Sequence, residues 1–150
     1  MSRVSRRRTI AAPVGEVWKL VSDPYNLPRW WPRVSRVENV DQKDGGRRSQ
    51  WTKVLETAEG RGVRADYRCI SSATNERYVW EQQLEGTPFA KHLRSSELEI
   101  RLRPEGEATE VALTASQTLR GMSRFGSPMM RGAQGRILDE ALEGLEGALT

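Results

Sequence analysis

Hydrophobic positions along the chain recur with two different periods, and the change of period divides it into three stretches. Near the N-terminus Val14, Val17, Trp18 and Val21 fall at i, i+3, i+4 and i+7 behind Pro13, which predicts a short amphipathic helix from about residue 13 to Ser22. Asp23-Pro24 reads as a stop and a restart, with Asp23 placed to cap a brief turn through Tyr25 to Leu27 before Pro28 and Pro32 interrupt it. From Val34 to Leu119 the texture changes to short strand-like runs: Val34–Val40, Ser49–Glu56, Gly62–Ile70, Arg77–Leu84, His92–Leu102 and Glu110–Leu119. Asp44-Gly45-Gly46, Glu59-Gly60, Thr74-Asn75, Glu85-Gly86-Thr87-Pro88 and Pro104-Glu105-Gly106-Glu107 supply the turns between them. With Val4–Ile10 these make seven strands joined mostly by hairpins, hence an antiparallel sheet.

The last thirty residues return to the helical period. Phe125, Met129, Ala133 and Ile137 line one stripe, and Leu138, Leu142, Leu145 and Leu149 continue it. Ser127-Pro128 either forms the cap and first turn of this helix, or Pro128 kinks a helix that starts nearer Met122. Gly126, Gly132, Gly135, Gly144 and Gly147 each cost about 1 kcal/mol against alanine in a helix, so the helix depends on packing. Its one large apolar partner is the concave face of a curved sheet. An α+β fold follows, in which the small helix residues either leave a cavity under the helix or let it approach the sheet closely.

A chain of 150 residues fits a single domain spanning 1–150, long enough to bury a core without staples. The one cysteine, Cys69, excludes an internal disulfide framework, and with the one histidine, His92, it excludes a Cys- or His-rich metal site. No apolar run approaches the ~18 residues of a membrane span, and no signal-type stretch follows the basic start, so a cytoplasmic location is expected. Twenty-four basic and twenty acidic residues give a net charge of +4. Residues 1–36 hold eight of the basic and two of the acidic ones, with Trp30 and Trp31 between Arg29 and Arg33. That arrangement reads first as a solvated strand edge and loop, and second as a surface for nucleic acid or an acidic partner.

The segment Ile10-Ala11-Ala12-Pro13-Val14-Gly15-Glu16-Val17-Trp18-Lys19-Leu20-Val21-Ser22-Asp23-Pro24, followed by Leu27-Pro28-Arg29-Trp30-Trp31-Pro32, resembles the opening of the polyketide cyclase/dehydrase and lipid-transport family. That family belongs to the START and Bet v 1-like, SRPBCC helix-grip superfamily, and the predicted order of elements matches it over essentially the whole chain. The resemblance implies a seven-stranded curved antiparallel sheet wrapped around a long C-terminal helix, with two short helices after the first strand. It also implies an internal pocket for an apolar or aromatic small molecule. Its members include carriers, cyclases and hydrolases, so it leaves the activity open.

Strand alternation gives the residues that would wall such a pocket. Val111, Leu113, Ala115, Gln117 and Leu119 share one face of the last strand; Leu98, Ile100 and Leu102 share one face of the strand before, and the same parity carries Ser96, Arg94 and His92 inward. Tyr78 and Trp80 align with Gln82 and Leu84; Tyr67 aligns with Val63, Ala65 and Cys69; Trp51 aligns with Ser49, Lys53 and Leu55. A bulge would shift any of these rows by one. The expected ligand-binding wall is therefore Trp31, Trp51, Tyr67 and Trp80 with Leu98, Leu113, Phe125 and Met129, and its polar anchors are His92, Arg94 and Gln117. An inward Arg94 would call for an anionic ligand or a carboxylate, yet Asp66, Glu81, Glu97 and Glu99 fall on the opposite face. Cys69 reads as a small buried hydrophobe.

The leading expectation is binding of a hydrophobic small molecule (a lipid, an isoprenoid or an aromatic polyketide-like compound) between sheet and helix. The alternative is a polyketide cyclase or dehydratase with His92 as proton donor and Arg94 as enolate stabiliser. No cofactor and no metal are expected. An exposed edge strand permits a homodimer without requiring one.

Overall fold

The computed structural model describes residues 2–41, 49–56, 62–121 and 127–150. β1 (Ser2–Ile10) leads into α1 (Val14–Val21), a 3-10 turn (Pro24–Asn26) and α2 (Leu27–Trp30). β2 (Val34–Asp41), β3 (Gln50–Glu56), β4 (Gly62–Ala73) and β5 (Arg77–Gln82) follow, then a 3-10 turn (Pro88–Lys91), β6 (Leu93–Glu105), β7 (Ala108–Leu119) and α3 (Ser127–Leu149). The strands form one seven-stranded antiparallel sheet in the order β1-β7-β6-β5-β4-β3-β2. It curves around α3, and the two short helices lie after the first strand as the sequence predicts.

Local chemistry sets the breaks. The Asp23 carboxylate accepts from the Tyr25 N–H at 3.0 Å and caps the turn that follows α1. Pro28 does not interrupt this segment as the sequence reading has it; it sits in the first turn of α2, where a missing N–H costs no hydrogen bond. Pro128 likewise occupies the first turn of α3. The final hairpin is tighter than predicted, because β6 and β7 run on to Glu105 and Ala108 and reverse around Gly106, whose φ of 63° suits glycine.

The core lies on the concave face. Ile10 of β1, Ile100 of β6 and Val111 and Leu113 of β7 are fully buried against Val17 of α1 and Leu138, Ala141 and Leu145 of α3. These α3 residues all belong to its C-terminal half. Nearer its N-terminus Met129 is 81% exposed, so the helix leaves the sheet progressively toward that end. At Gly144 a Cβ would collide with the main-chain carbonyl of Trp30, and this glycine is what lets α3 close onto α2. The N-terminal positive charge is partly met from the same helix: Arg6 pairs with Asp139, Arg8 with Glu146 and Arg33 with Glu140, each at 3.5 Å.

Candidate functional site

Where the N-terminal half of α3 stands off the sheet, a cavity of about 250 Å³ opens over the ends of β3 to β7. Leu98 of β6 and Ala115 of β7 line its sheet side, while Gln134 and Ile137 of α3 line the other. Trp31, held just after α2, meets Trp80 of β5 edge-to-face with ring centroids 5.4 Å apart. Tyr67 of β4 adds a third ring, and Phe89, carried by the 3-10 turn before β6, a fourth.

The polar residue at the centre of this aromatic wall is Lys53. Alternation along β3 points Trp51, Lys53 and Leu55 to the concave face, and Lys53 is left with only 2% of its surface exposed. Its Nζ lies over three ring faces, 4.2 Å from the centroid of Tyr67, 4.4 Å from Trp80 and 4.5 Å from Trp31. Among the described residues no carboxylate and no hydrogen-bond acceptor pairs with it. Burial pushes the ammonium from its ordinary 10.5 down to about 7, because a charge taken out of water without a counter-ion is unstable. The ring quadrupoles oppose that loss by attracting the cation. Burial also drives the Tyr67 phenol well above its ordinary range, which keeps it a neutral O–H.

Gln117 of β7 is the second polar anchor. Its Nε2 donates to Ser96 Oγ at 3.3 Å, while its Oε1 is buried with no partner. A buried carbonyl oxygen left unpaired costs about 1–3 kcal/mol, which a donor on a bound molecule would relieve. Glu97 also lines the cavity but is exposed. The site therefore offers flat apolar contact, an amine and an amide.

Of the residues expected from sequence, Trp31, Tyr67, Trp80, Leu98 and Gln117 line this cavity. Trp51 and Leu113 do not, being buried in the core; Trp51 stacks behind Tyr67 with planes 12° apart and supports the wall from within. His92 and Arg94 are exposed and outside it, Arg94 bordering a separate surface depression. The cause is a bulge between Leu93 and Ser95: Leu93 pairs with Leu119 and Ser95 with Thr118, so Arg94 is the extra residue and Leu93 turns inward in its place. Met129 is exposed beyond the cavity, and Phe125 lies outside the described residues. Lys53 was legible as the charged member of the Trp51 row, but nothing local in sequence marks the three rings that converge on it. Phe89 belongs to a turn with no hydrophobic period, so it carried no signal.

A long helix held in the grip of a curved antiparallel sheet, with a cavity between them, defines the START-like helix-grip class. The family model for polyketide cyclase / dehydrase and lipid transport matches residues 1–150, and the chain belongs to that family. No curated protein sequence matches it. Solved structures do. A START superfamily protein from Mycobacterium smegmatis shares 20% identity at a TM-score of 0.81, covering 99% of this chain and 97% of its own. The Zhui aromatase/cyclase from a Streptomyces species shares 18% at 0.71, covering 98% and 90%. The di-domain ARO/CYC StfQ from the steffimycin biosynthetic pathway shares 12% at 0.78, covering 99% of this chain and 51% of that one. At these identities the likenesses establish the fold.

Proposed function

We propose that the protein binds a compact, mainly apolar, ring-bearing small molecule in the cavity between the sheet and the N-terminal half of α3. The observation that carries this reading is the wall of Trp31, Tyr67 and Trp80 around Lys53 Nζ, which has no counter-ion among the described residues, with Gln117, whose Oε1 is buried and unpaired, lining the same cavity. Buried polar groups are ordinarily paired, and in this cavity a bound molecule would supply the partner. At about 250 Å³ the space falls just below the roughly 300–1,000 Å³ of drug-sized pockets, which favours a one- or two-ring compound over an extended lipid chain. Of the ligand classes expected from sequence, an aromatic polyketide-like compound fits best.

The alternative of a cyclase or dehydratase using His92 and Arg94 loses its support, since neither side chain lines the cavity. The nucleic-acid alternative is weakened by the pairing of Arg6, Arg8 and Arg33 with α3 carboxylates.

Titration with 2-naphthalenemethanol, followed by tryptophan fluorescence, tests the binding reading. Saturable quenching is expected, and Ala115→Leu, which adds three carbons to the cavity floor, is expected to weaken it tenfold or more (about 1.4 kcal/mol) while the fold is kept. Equal affinity in both proteins would place the ligand elsewhere.

A further inference from the structure

Lys53 holds a place that packing alone does not explain. A lysine in an apolar interior is ordinarily met by a carboxylate or carries its ammonium out to solvent. Here the stem is sealed, no carboxylate answers it among the described residues, and Lys53 lines the cavity. The titratable groups that share that space are Tyr67 on β4, a neutral phenol, and Glu97 on β6, which is exposed. Neither holds Lys53 in its charged form. An amine desolvated in this way spends much of its time unprotonated near neutral pH, with its lone pair available.

We propose that Lys53 is a nucleophilic amine that captures an aldehyde or ketone group of the cavity's ligand as a reversible imine. The inference rests on the binding reading above and extends it by naming the functional group the ligand carries. The lone pair on Nζ adds to the carbonyl carbon, and one N–H proton passes to the oxygen to give a carbinolamine. Loss of that hydroxyl with the second N–H proton releases water and leaves a carbon–nitrogen double bond. No electrons enter or leave, and no co-reactant is needed. The rings that surround Nζ have the faces to stack on an aromatic carbonyl compound and on the cationic iminium it becomes on protonation. Gln117 Oε1, unpaired in the same cavity, is an acceptor for the carbinolamine hydroxyl.

The test uses 2-naphthaldehyde with cyanoborohydride at pH 7, read by intact mass and peptide mapping, beside fluorescence titration with the non-carbonyl analogue 2-naphthalenemethanol. Reduction of the imine fixes a mass gain equal to the aldehyde less one oxygen. Lys53 is expected to be labelled at least about tenfold faster than the exposed Lys19 and Lys91. Excess 2-naphthalenemethanol should suppress that label, and Lys53→Arg, which keeps the charge and loses the nucleophile, should abolish it. Binding of the alcohol without a Lys53 adduct would overturn the imine and leave the binding reading standing. Labelling spread evenly over the lysines would also overturn it, as would tighter binding of 2-naphthoate than of the aldehyde without an adduct, which would make Lys53 a counter-ion. Failure of both alcohol and aldehyde to engage the protein would overturn both readings.

Discussion

Lys53 couples stability to pH in a way its neighbours do not. Its ammonium is harder to hold in the fold than in the unfolded chain, with about 7 against an ordinary 10.5. Below pH 7 both states carry the proton and the full cost of the buried charge is present. Between 7 and 10.5 the unfolded chain still holds a proton that the folded chain has released, so this group raises stability with pH by up to about 1.4 kcal/mol per unit. Lys53→Met keeps the stem and removes the charge, and is expected to stabilise the protein by about 1–4 kcal/mol at pH 6. That gain should shrink steadily as pH rises toward 10. Tyr67 and Glu97 face the cavity in both proteins, so the difference between two urea-denaturation series isolates Lys53. A variant less stable than wild type at pH 6 would show that the ring faces more than offset the desolvation. The alternation of β3 placed this side chain on the concave face from sequence alone. Its rings come from residues 31, 67 and 80, brought together only by the sheet order, and its significance was invisible for that reason.

Among the elements, helices and strands were readable because each keeps one period over several residues, and the errors fall where one residue breaks the period. The bulge at Arg94 reversed the inward row at the start of β6 and carried His92 and Arg94 to the surface. Pro28, read as an interruption, occupies the first turn of α2, and of the two readings of Pro128 the first-turn one holds. The glycines of α3 divide in the same local way. Gly144 touches the Trp30 carbonyl, whereas Gly147 has open space around its Cα. Gly144→Ala is therefore expected to lower stability by about 1–3 kcal/mol through forced separation of α2 and α3, despite alanine's better helix propensity. Gly147→Ala should raise it by about 0.5–1 kcal/mol. Chemical denaturation of the two variants gives the comparison, and equal signs would contradict the close contact.

For the whole molecule, the order of elements carried the fold: one strand, two short helices, six strands and a long helix leave the concave face of the sheet as the helix's partner. The cavity follows from how that helix sits. Leu138, Ala141, Leu142 and Leu145 anchor its C-terminal half, and the stripe the sequence continues through Met129 has no sheet to bury it. The positive charge of the first third, suggestive by itself, is in part the complement of the acidic outer face of α3. Such exposed pairs contribute little stability each, so added salt should leave ligand affinity nearly unchanged.

The most direct test of the account is an NMR titration of the isotope-labelled protein with 2-naphthalenemethanol. It predicts saturating shifts at the indole N–H signals of Trp31 and Trp80 and at the methyls of Leu98, Ala115 and Ile137, with the convex face of the sheet unmoved. Shifts confined to the convex face or to residues around Arg94, or no shifts at all, would contradict it.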